Sequence, residues 1–445
     1  MFQLGYLCSM ISNIKSNSAI LEKLGIKQLN PMQEEAKETI ANHPEVVLIS
    51  PTGTGKTLAF LMPIIEKLDP NNQEVQALII VPSRELAIQI ESVIREMGSG
   101  YKNNAVYGGR SFSKDKIELK HRPAILIGTP GRIADHLRRE TFSTVAIRTL
   151  VLDEFDKSLE IGFETEMLYI TDQLHHLESK ILTSATEPNN IPKFVRLKNP
   201  VFINHSNKGK SQLKIKTVLS SSRDKIESLV DLLSFIGNEP GIIFCNFKDS
   251  IDNISEKLTE NGISHGVFYG GMEQIDREMA LIKFRNGTHH LLLATDLAAR
   301  GIDIPELKFI IHFHLPSKET EFTHRNGRTA RMNSNGTAYV LKGKNEDLPE
   351  FINGNNIEKV IKSPLPLPSV WKTLFITGGR RDKISKGDIA GLFFKQGKLK
   401  HDQLGIIEIK QEFSYAAVKI TALKDLIERV DNTKLKNKKV RISAI

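Results

Sequence analysis

Short apolar runs alternate with stretches of helical periodicity twice along this chain, and the alternation restricts its fold more than any other feature. In the first series the runs fall at 46–49, 77–81, 124–127 and 149–152, with helical spacing over 57–68 and 85–97. In the second they fall at 241–245, 267–269, 291–294, 309–312 and 337–341, with helices expected over 250–260, 274–284 and 320–331. A strand that is apolar on both sides needs cover on both sides, and the intervening helices supply it. The pattern predicts two parallel sheets with helices on both faces. A chain of 445 residues exceeds what one core organises, and the two series do not repeat each other in sequence.

Two breaks divide the chain. HSNKGKSQ, at 205–212, is polar and contains a glycine, the composition of a linker. SPLPLPS, at 363–369, holds three prolines, which forbid a helix and favour an extended spacer. Beyond it, strands are expected at 373–377, 405–410, 415–420 and 440–443, and helices at 388–394 and 423–430. The expected domains are 1–204, 213–362 and 371–445, the last a small α+β unit.

Composition excludes several classes. Apolar residues make up 40% and charged residues 25%, the balance of a soluble globular protein. No stretch approaches the roughly 18 uninterrupted apolar residues of a membrane span. The segment 1–11 has no basic residue ahead of its apolar stretch and reads poorly as a secretory signal, with Met10 an alternative start. Cys8 and Cys245 cannot build a disulfide framework or a four-ligand zinc site, so a cytoplasmic location is expected. The histidine pairs His175–His176 and His289–His290 lack metal-ligand spacing.

The net charge of +9 is unevenly placed. Residues 371–445 hold 17 basic and 8 acidic side chains, which leaves 44 of each in the first 370. All of the excess positive charge therefore sits in the last domain. A basic segment with folded-domain periodicity is better read as a polyanion-binding module than as a solubilising surface, and nucleic acid is the favoured partner.

The strand at 46–49 runs into SPTGTGKT and then into a helix. Glycines let backbone N–H groups approach a phosphate, and the helix N-terminus adds partial positive charge. Lys56 would reach the β- and γ-phosphates, and the Thr57 hydroxyl would hold Mg²⁺. Ser50 stands where the general GxxxxGK[ST] pattern has its first glycine. The competing reading is a chance glycine-rich turn; Gly53, Gly55, Lys56 and Thr57 together in this context argue against it. Ser50, Thr52 and Thr54 complete the expected nucleotide-binding loop. The apolar run at 149–152 ends in DEFD. Two acids at the end of a buried strand facing a phosphate loop suit metal-assisted hydrolysis, with Asp153 on Mg²⁺ and Glu154 activating water.

SPTGTGKT, PSRELA (82–87), GG (108–109), TPGR (129–132), DEFD (153–156), SAT (184–186), ATDLAARGIDIP (294–305) and HRNGRTAR (324–331) occur in that order. The series resembles the motifs of the DEAD-box RNA helicases, over residues from about 20 to 345. The resemblance implies two tandem RecA-like domains that clamp ATP between them and bind single-stranded RNA across both. It places Gln33 on adenine, Asp303 on the ribose, and Arg328 and Arg331 at the γ-phosphate. Ser184, Thr186, Asp156 and His324 would couple the nucleotide site to the RNA site. RNA contacts would fall on Arg84, Gly109, Thr129 and Arg132 in the first domain, and on Gln274, Arg277, Thr295 and Arg300 in the second. An ordinary surface ion pair is the competing reading for each arginine. Departures from the family pattern are Phe155 for the alanine of DEAD, Asn326 and Ala330 within HRNGRTAR, Asn30 for a threonine near Gln33, and Ser16 where an aromatic is usual.

The C-terminal segment, with its basic turn before KGDI, its LGIIEI and its FSYAAV, resembles the last domain of DbpA-like DEAD-box proteins. That resemblance implies an RRM-like fold, recognition of a large-subunit ribosomal RNA hairpin and a role in ribosome assembly. Phe413 and Tyr415 alternate on one strand face, which suits base stacking or core packing, with core packing expected for at least one. RNA affinity is expected on Arg380, Arg381, Lys383 and Lys386. The run 434–439 reads equally as an RNA contact or a solvated turn. The expected whole is an α/β protein, two tandem RecA-like parallel-sheet domains followed by a small α+β RRM-like domain, acting as a monomeric RNA-stimulated ATPase. Rival readings are a nucleotide-gated RNA clamp and a DNA motor. Glu154, Arg328 and Arg331 speak against the first; TPGR, SAT and the RRM-like tail speak against the second.

Overall fold

The computed structural model describes residues 14–160, 162–187, 191–206, 212–220, 224–296, 304, 307–329 and 335–445. Met10, Arg300, Asp303, Ala330 and Arg331 lie outside the described residues.

In the first unit, β1 (Glu45–Ile49), β2 (Ala77–Ile80), β3 (Asn103–Val106), β4 (Ile125–Gly128), β5 (Thr149–Leu152), β6 (Ser179–Ser184) and β7 (Val201–Asn204) form one sheet. Its order is β3-β4-β2-β5-β6-β1-β7, and every pairing is parallel. Successive residues of a strand point to opposite faces. Val46 and Leu48 accordingly join one core cluster, and Val47 and Ile49 the other. Helices cover both faces: α1 (Asn17–Leu24), α2 (Pro31–Asn42), α3 (Lys56–Lys67), α4 (Arg84–Met97), α5 (Phe112–Glu118), α6 (Pro130–Arg138), α7 (Phe155–Glu160) and α8 (Glu164–Gln173).

The second unit opens with β8 (Gln212–Leu219), β9 (Gly241–Phe244), β10 (His265–Phe268), β11 (Leu291–Ala294), β12 (Phe309–His312) and β13 (Asn335–Lys342). They pair in parallel in the order β10-β11-β9-β12-β13-β8. Its helices are α9 (Lys225–Ile236), α10 (Lys248–Glu260), α11 (Gln274–Arg285) and α12 (Glu319–Asn326). The helix expected over 320–331 thus stops at Asn326. Gly327 closes it, its N–H bonding Thr323 O, and the Thr329 hydroxyl then donates to Leu307 O at 2.6 Å, drawing the chain off the helix axis.

The same unit ends in a small antiparallel sheet. Its strands are β14 (Trp371–Ile376), β15 (Leu404–Ile409) and β16 (Ser414–Lys419). A two-stranded hairpin of β17 (Lys434–Leu435) and β18 (Lys438–Lys439) precedes the last strand, β19 (Ile442–Ala444). The sheet order is β15-β16-β14-β19. Leu374, Ile376, Ala416 and Val418 face α13 (Lys386–Lys395) and α14 (Ile420–Val430), packing with Phe393 and Leu426 into a separate core. Ser385 caps α13: its hydroxyl accepts from Asp388 N at 3.2 Å, and the Asp388 carboxylate accepts from Ser385 N at 2.8 Å. Two parallel-sheet domains and a small α+β domain are therefore present. No described helix is long and apolar enough to cross a membrane.

Candidate nucleotide site and nucleic-acid surface

In a parallel sheet all strands end on one side, and loops there converge. The first sheet brings its motif residues together in this way. β1 ends at Ser50, β2 leads to Arg84, β4 to Thr129 and Arg132, β5 to Asp153 and Glu154, and β6 to Ser184 and Thr186.

The loop after β1 turns through Gly53 and Gly55, whose φ angles of 85° and 86° lie in the left-handed region where a side chain is strained. A Cβ on Gly55 would also collide with the amide of Gln33. That amide donates to Gly55 O at 3.2 Å, while Gln33 Oε1 accepts from Asn30 N at 3.0 Å. The Asn30 side chain accepts from Gln33 N at 2.9 Å and donates to Thr54 O at 3.0 Å. Asn30 is thus half of a capping box that seats Gln33 against the phosphate loop. Within the loop the Ser50 hydroxyl bonds Thr54 Oγ1 at 2.8 Å, which bonds Pro51 O at 2.9 Å. The Lys56 ammonium donates to Pro51 O at 3.1 Å and to Ser50 O. Burial lowers the Lys56 pKa to about 8, against the opposing pull of Glu154 and Asp153.

Thr183 of β6 organises the acids. Its hydroxyl donates to Asp153 and accepts from Glu154 N at 3.2 Å. Burial and the neighbouring Glu154 push the Asp153 pKa up to about 6. Glu154 itself has φ 50°, an uncommon backbone for a non-glycine residue, at the junction of β5 and α7. Phe155 is 1% exposed and packs into the core beneath α7, so the ring that replaces alanine turns away from the carboxylates. The Ser184 hydroxyl donates to Thr186 O at 2.5 Å, and Thr186 Oγ1 donates to Asp156 at 3.4 Å. Three of the expected coupling residues therefore touch.

Of the first-domain RNA candidates, Arg84 lies against Gly109, where an added Cβ would strike its guanidinium. Thr129 is the N-cap residue of α6 and is buried. Arg132 is engaged internally: its Nε donates to Asp115 at 2.8 Å and its Nη2 to Arg110 O at 2.9 Å. Asp115 is fully buried and also pairs with Arg110 and His136. Sequence reading missed Asp115, which lies in no recognisable motif.

In the second sheet Thr295 follows β11, Gln274 opens α11, and Arg277 lies one turn on. The Arg277 guanidinium sits 4.4 Å from the Phe268 ring centroid and donates to Tyr269 O at 3.0 Å. Arg328 and His324 are buried. Arg325, overlooked although it lies within HRNGRTAR, is 1% exposed and forks onto both carboxylate oxygens of Asp296, also bonding His314 O and Asn246. That bidentate pair ties the β11 end to α12.

In the C-terminal domain two basic segments lie side by side. Arg380, Arg381 and Lys383 form a turn, and the hairpin at 434–439 is pinned beside it. Lys438 bonds Asp382 at 2.8 Å, and Lys436 bonds Lys383 O at 2.6 Å and Asp388 at 2.8 Å. The Lys436 ammonium, with the hydroxyl and N–H of Ser385, holds the Asp388 pKa down to about 2. The opposite, outward sheet face is not open. Arg285, at the end of α11, forks onto Glu408 at 2.6 and 2.8 Å. Thr288 and Asn286 bond the Thr373 hydroxyl at 2.7 and 3.3 Å. Burial works against the Glu408 charge, but Arg285 outweighs it and holds that carboxyl below its ordinary value. Tyr415, paired with Glu408 across the strands, is 2% exposed and lies 5.7 Å from Phe375 and 5.5 Å from Phe413. Its burial comes from this docking face, not from the domain's own core.

Comparison with known proteins accords with this geometry. The DEAD/DEAH box helicase family matches residues 30–194, the helicase conserved C-terminal domain 224–333, and the DbpA RNA binding domain 373–444. The chain is 31% identical to ATP-dependent RNA helicase DbpA of Bacillus subtilis, covering 95% of this chain and 96% of that protein. It is 30% identical to ATP-dependent RNA helicase DbpA of Escherichia coli, covering 95% of each. Among solved structures it resembles Saccharomyces cerevisiae Dbp5 bound to RNA and ADP BeF3, with TM-score 0.66, 26% identity and coverage of 74% of this chain and 88% of that one. With three domains in the family's order and two full-length relatives, the chain belongs to the DEAD-box ATP-dependent RNA helicases of the DbpA type.

Proposed function

We propose that this helicase remodels structured large-subunit ribosomal RNA during ribosome assembly, as a cytoplasmic monomer. Its working parts would be the nucleotide-binding domain 1–204, the second motor domain 213–362 and the RNA-binding domain 371–445. The observation that carries the proposal is the placement of charge. A motor of zero net charge is followed by a domain of +9, whose basic turn and hairpin form one surface.

The site roles follow from chemistry. The amide donors of the loop 50–57 and the Lys56 ammonium hold the triphosphate, and Gln33 reads the base. Asp153 and the Thr57 hydroxyl suit Mg²⁺, an ion that takes one or two protein oxygens and fills its remaining positions with water and phosphate; bound there, it would neutralise phosphate charge. Glu154 takes the proton of the attacking water. Arg328 and Arg331 stabilise charge on the transferred phosphoryl group, a contribution on the order of 10³–10⁵ in rate for an arginine finger. Asp303 holds the ribose. Ser184, Thr186, Asp156 and His324 relay the nucleotide state. Arg84, Gly109, Thr129, Arg132, Gln274, Arg277, Thr295 and Arg300 contact the RNA backbone without reading sequence. Arg380, Arg381, Lys383, Lys386 and the 434–439 hairpin anchor the specific RNA.

The test is ATPase stimulation by matched strands. A large-subunit ribosomal RNA hairpin should stimulate more strongly than an unrelated hairpin, and RNA more strongly than DNA. Equal stimulation by all of them would rule out the target, and none by any RNA would rule out the motor reading.

A further inference from the structure

Lys157 is fully buried in the first turn of α7, directly after DEFD. Its ammonium lies 2.8 Å from Glu154 Oε2, and the Glu154 side chain is only 7% exposed. Taking an ammonium out of water is costly, and long lysine side chains ordinarily keep their charged ends in solvent. Phe155 anchors the same turn in the core. The lysine sits among three carboxylates: its charge acts on Asp153 and Asp156 as well as on Lys56.

We infer that Lys157 is a positioning residue for Glu154, holding its carboxylate in place for water activation and supplying the second fixed positive charge of the acidic cluster. The Glu154 backbone is already fixed, by its left-handed φ and by the bond from its N–H to Thr183. The side chain beyond has three rotatable bonds, and the ion contact with Lys157 restrains its far end. A base that sweeps through several rotamers spends little time where it can take a proton, and misplacement by about 1 Å can cost roughly 10² in rate. Lys157 touches no reacting atom in this scheme; it acts through Glu154. The alternative is a lysine that only balances buried charge. In that case Lys157→Met lowers the melting temperature, because it leaves buried carboxylates without their counter-charge, but the folded variant turns over at the wild-type rate.

The inference rests on Glu154 as the water-activating base, and Glu154→Gln tests that separately. Four full-length variants decide the matter: Lys157→Met, Lys157→Arg, Glu154→Gln and the double Glu154→Gln/Lys157→Met. The readouts are kcat and KM for ATP at saturating RNA, affinity for a fluorescent ADP analogue, and melting temperature. Lys157→Met should lower kcat by about 10–100-fold, with KM and ADP-analogue affinity within about three-fold. Lys157→Arg should recover kcat to within about five-fold, and the double variant should be no slower than Glu154→Gln alone, since residues acting as a unit are not additive. A folded Lys157→Met with kcat within three-fold of wild type overturns the inference, as does a further full loss in the Glu154→Gln background. Should Lys157→Met not fold, Lys157→Gln takes its place on the same readouts: kcat within three-fold of wild type overturns the inference, and a larger loss with ADP-analogue affinity within about three-fold supports it. If Glu154→Gln keeps full turnover, the base assignment fails; if it is inactive while Lys157→Met is not, only the role of Lys157 fails.

Discussion

Asn326 departs from the family pattern, and the structure supplies a local reason. The His312 Nε2–H donates to Asn326 Oδ1 at 3.1 Å, and both side chains are buried. Burial, then the charge of Arg325, holds the His312 pKa down to about 3. The unfolded chain would protonate this histidine near 6.5. Its neutral form therefore contributes stability in full above about pH 6.5, and that stability is lost as pH falls from there toward 3, by at most about 1.4 kcal/mol per pH unit. Urea denaturation between pH 7 and 4.5 should show a shallower acid loss for His312→Asn than for wild type; an unchanged slope would refute the assignment. Asn326→Ile leaves the ring N–H without its acceptor and should cost about 1–3 kcal/mol at neutral pH. Phe155 makes the same point differently. Its ring fills core beneath α7, so Phe155→Ala should cost about 3–5 kcal/mol by thermal or urea unfolding.

Helix α11 serves two ends of the second unit. Gln274 and Arg277 lie at its start, and Arg285 at its end grips Glu408 of the last domain. Both charges are about four-fifths covered, and the fork is bidentate, so the pair is stronger than an exposed ion pair. Arg285→Glu and Glu408→Arg should each loosen the docking of the last domain and lower its melting temperature, and the two together should restore much of it. Small-angle scattering reads the loosening as a larger radius of gyration; a double variant no better than either single would show that the contact is incidental. Elements of this kind set the limit of sequence reading. The central strands β1, β2, β4 and β5 were legible because each is built on an unbroken apolar run and is buried along its whole length. Strand β3 carries two asparagines, β6 is flanked by polar residues, and β7 and β8 lie at sheet edges, so none stood out.

Over the whole molecule, charge and work are divided. The first 370 residues are neutral and the last 75 hold the entire excess. Removing 371–445 should leave basal ATPase largely intact and abolish preference for one RNA over another; preference that survives would place specificity in the motor. The same deletion should flatten the dependence of RNA affinity on salt, because the slope of log K against log salt follows the number of phosphates neutralised. A titration between 50 and 200 mM salt, the range over which a protein with several phosphate contacts loses about 10³–10⁵ in affinity, reads that change directly.

The order of motifs, the two parallel sheets and the location of the charge were all written in the sequence, because each depends on local composition and on spacing along the chain. Tertiary structure decided where the side chains between those landmarks point. Tyr415 alternates with Phe413 as a stacking pair would, yet it is closed off by a helix that lies more than 100 residues earlier in the chain. Arg132 reads as an RNA contact in TPGR, and what fixes its guanidinium is Asp115, a residue in no motif. Phe155 stands in the sequence between the acids of DEFD, yet its ring faces the core. In each case the deciding partner is distant in sequence and is brought close only when the helices pack on their sheets.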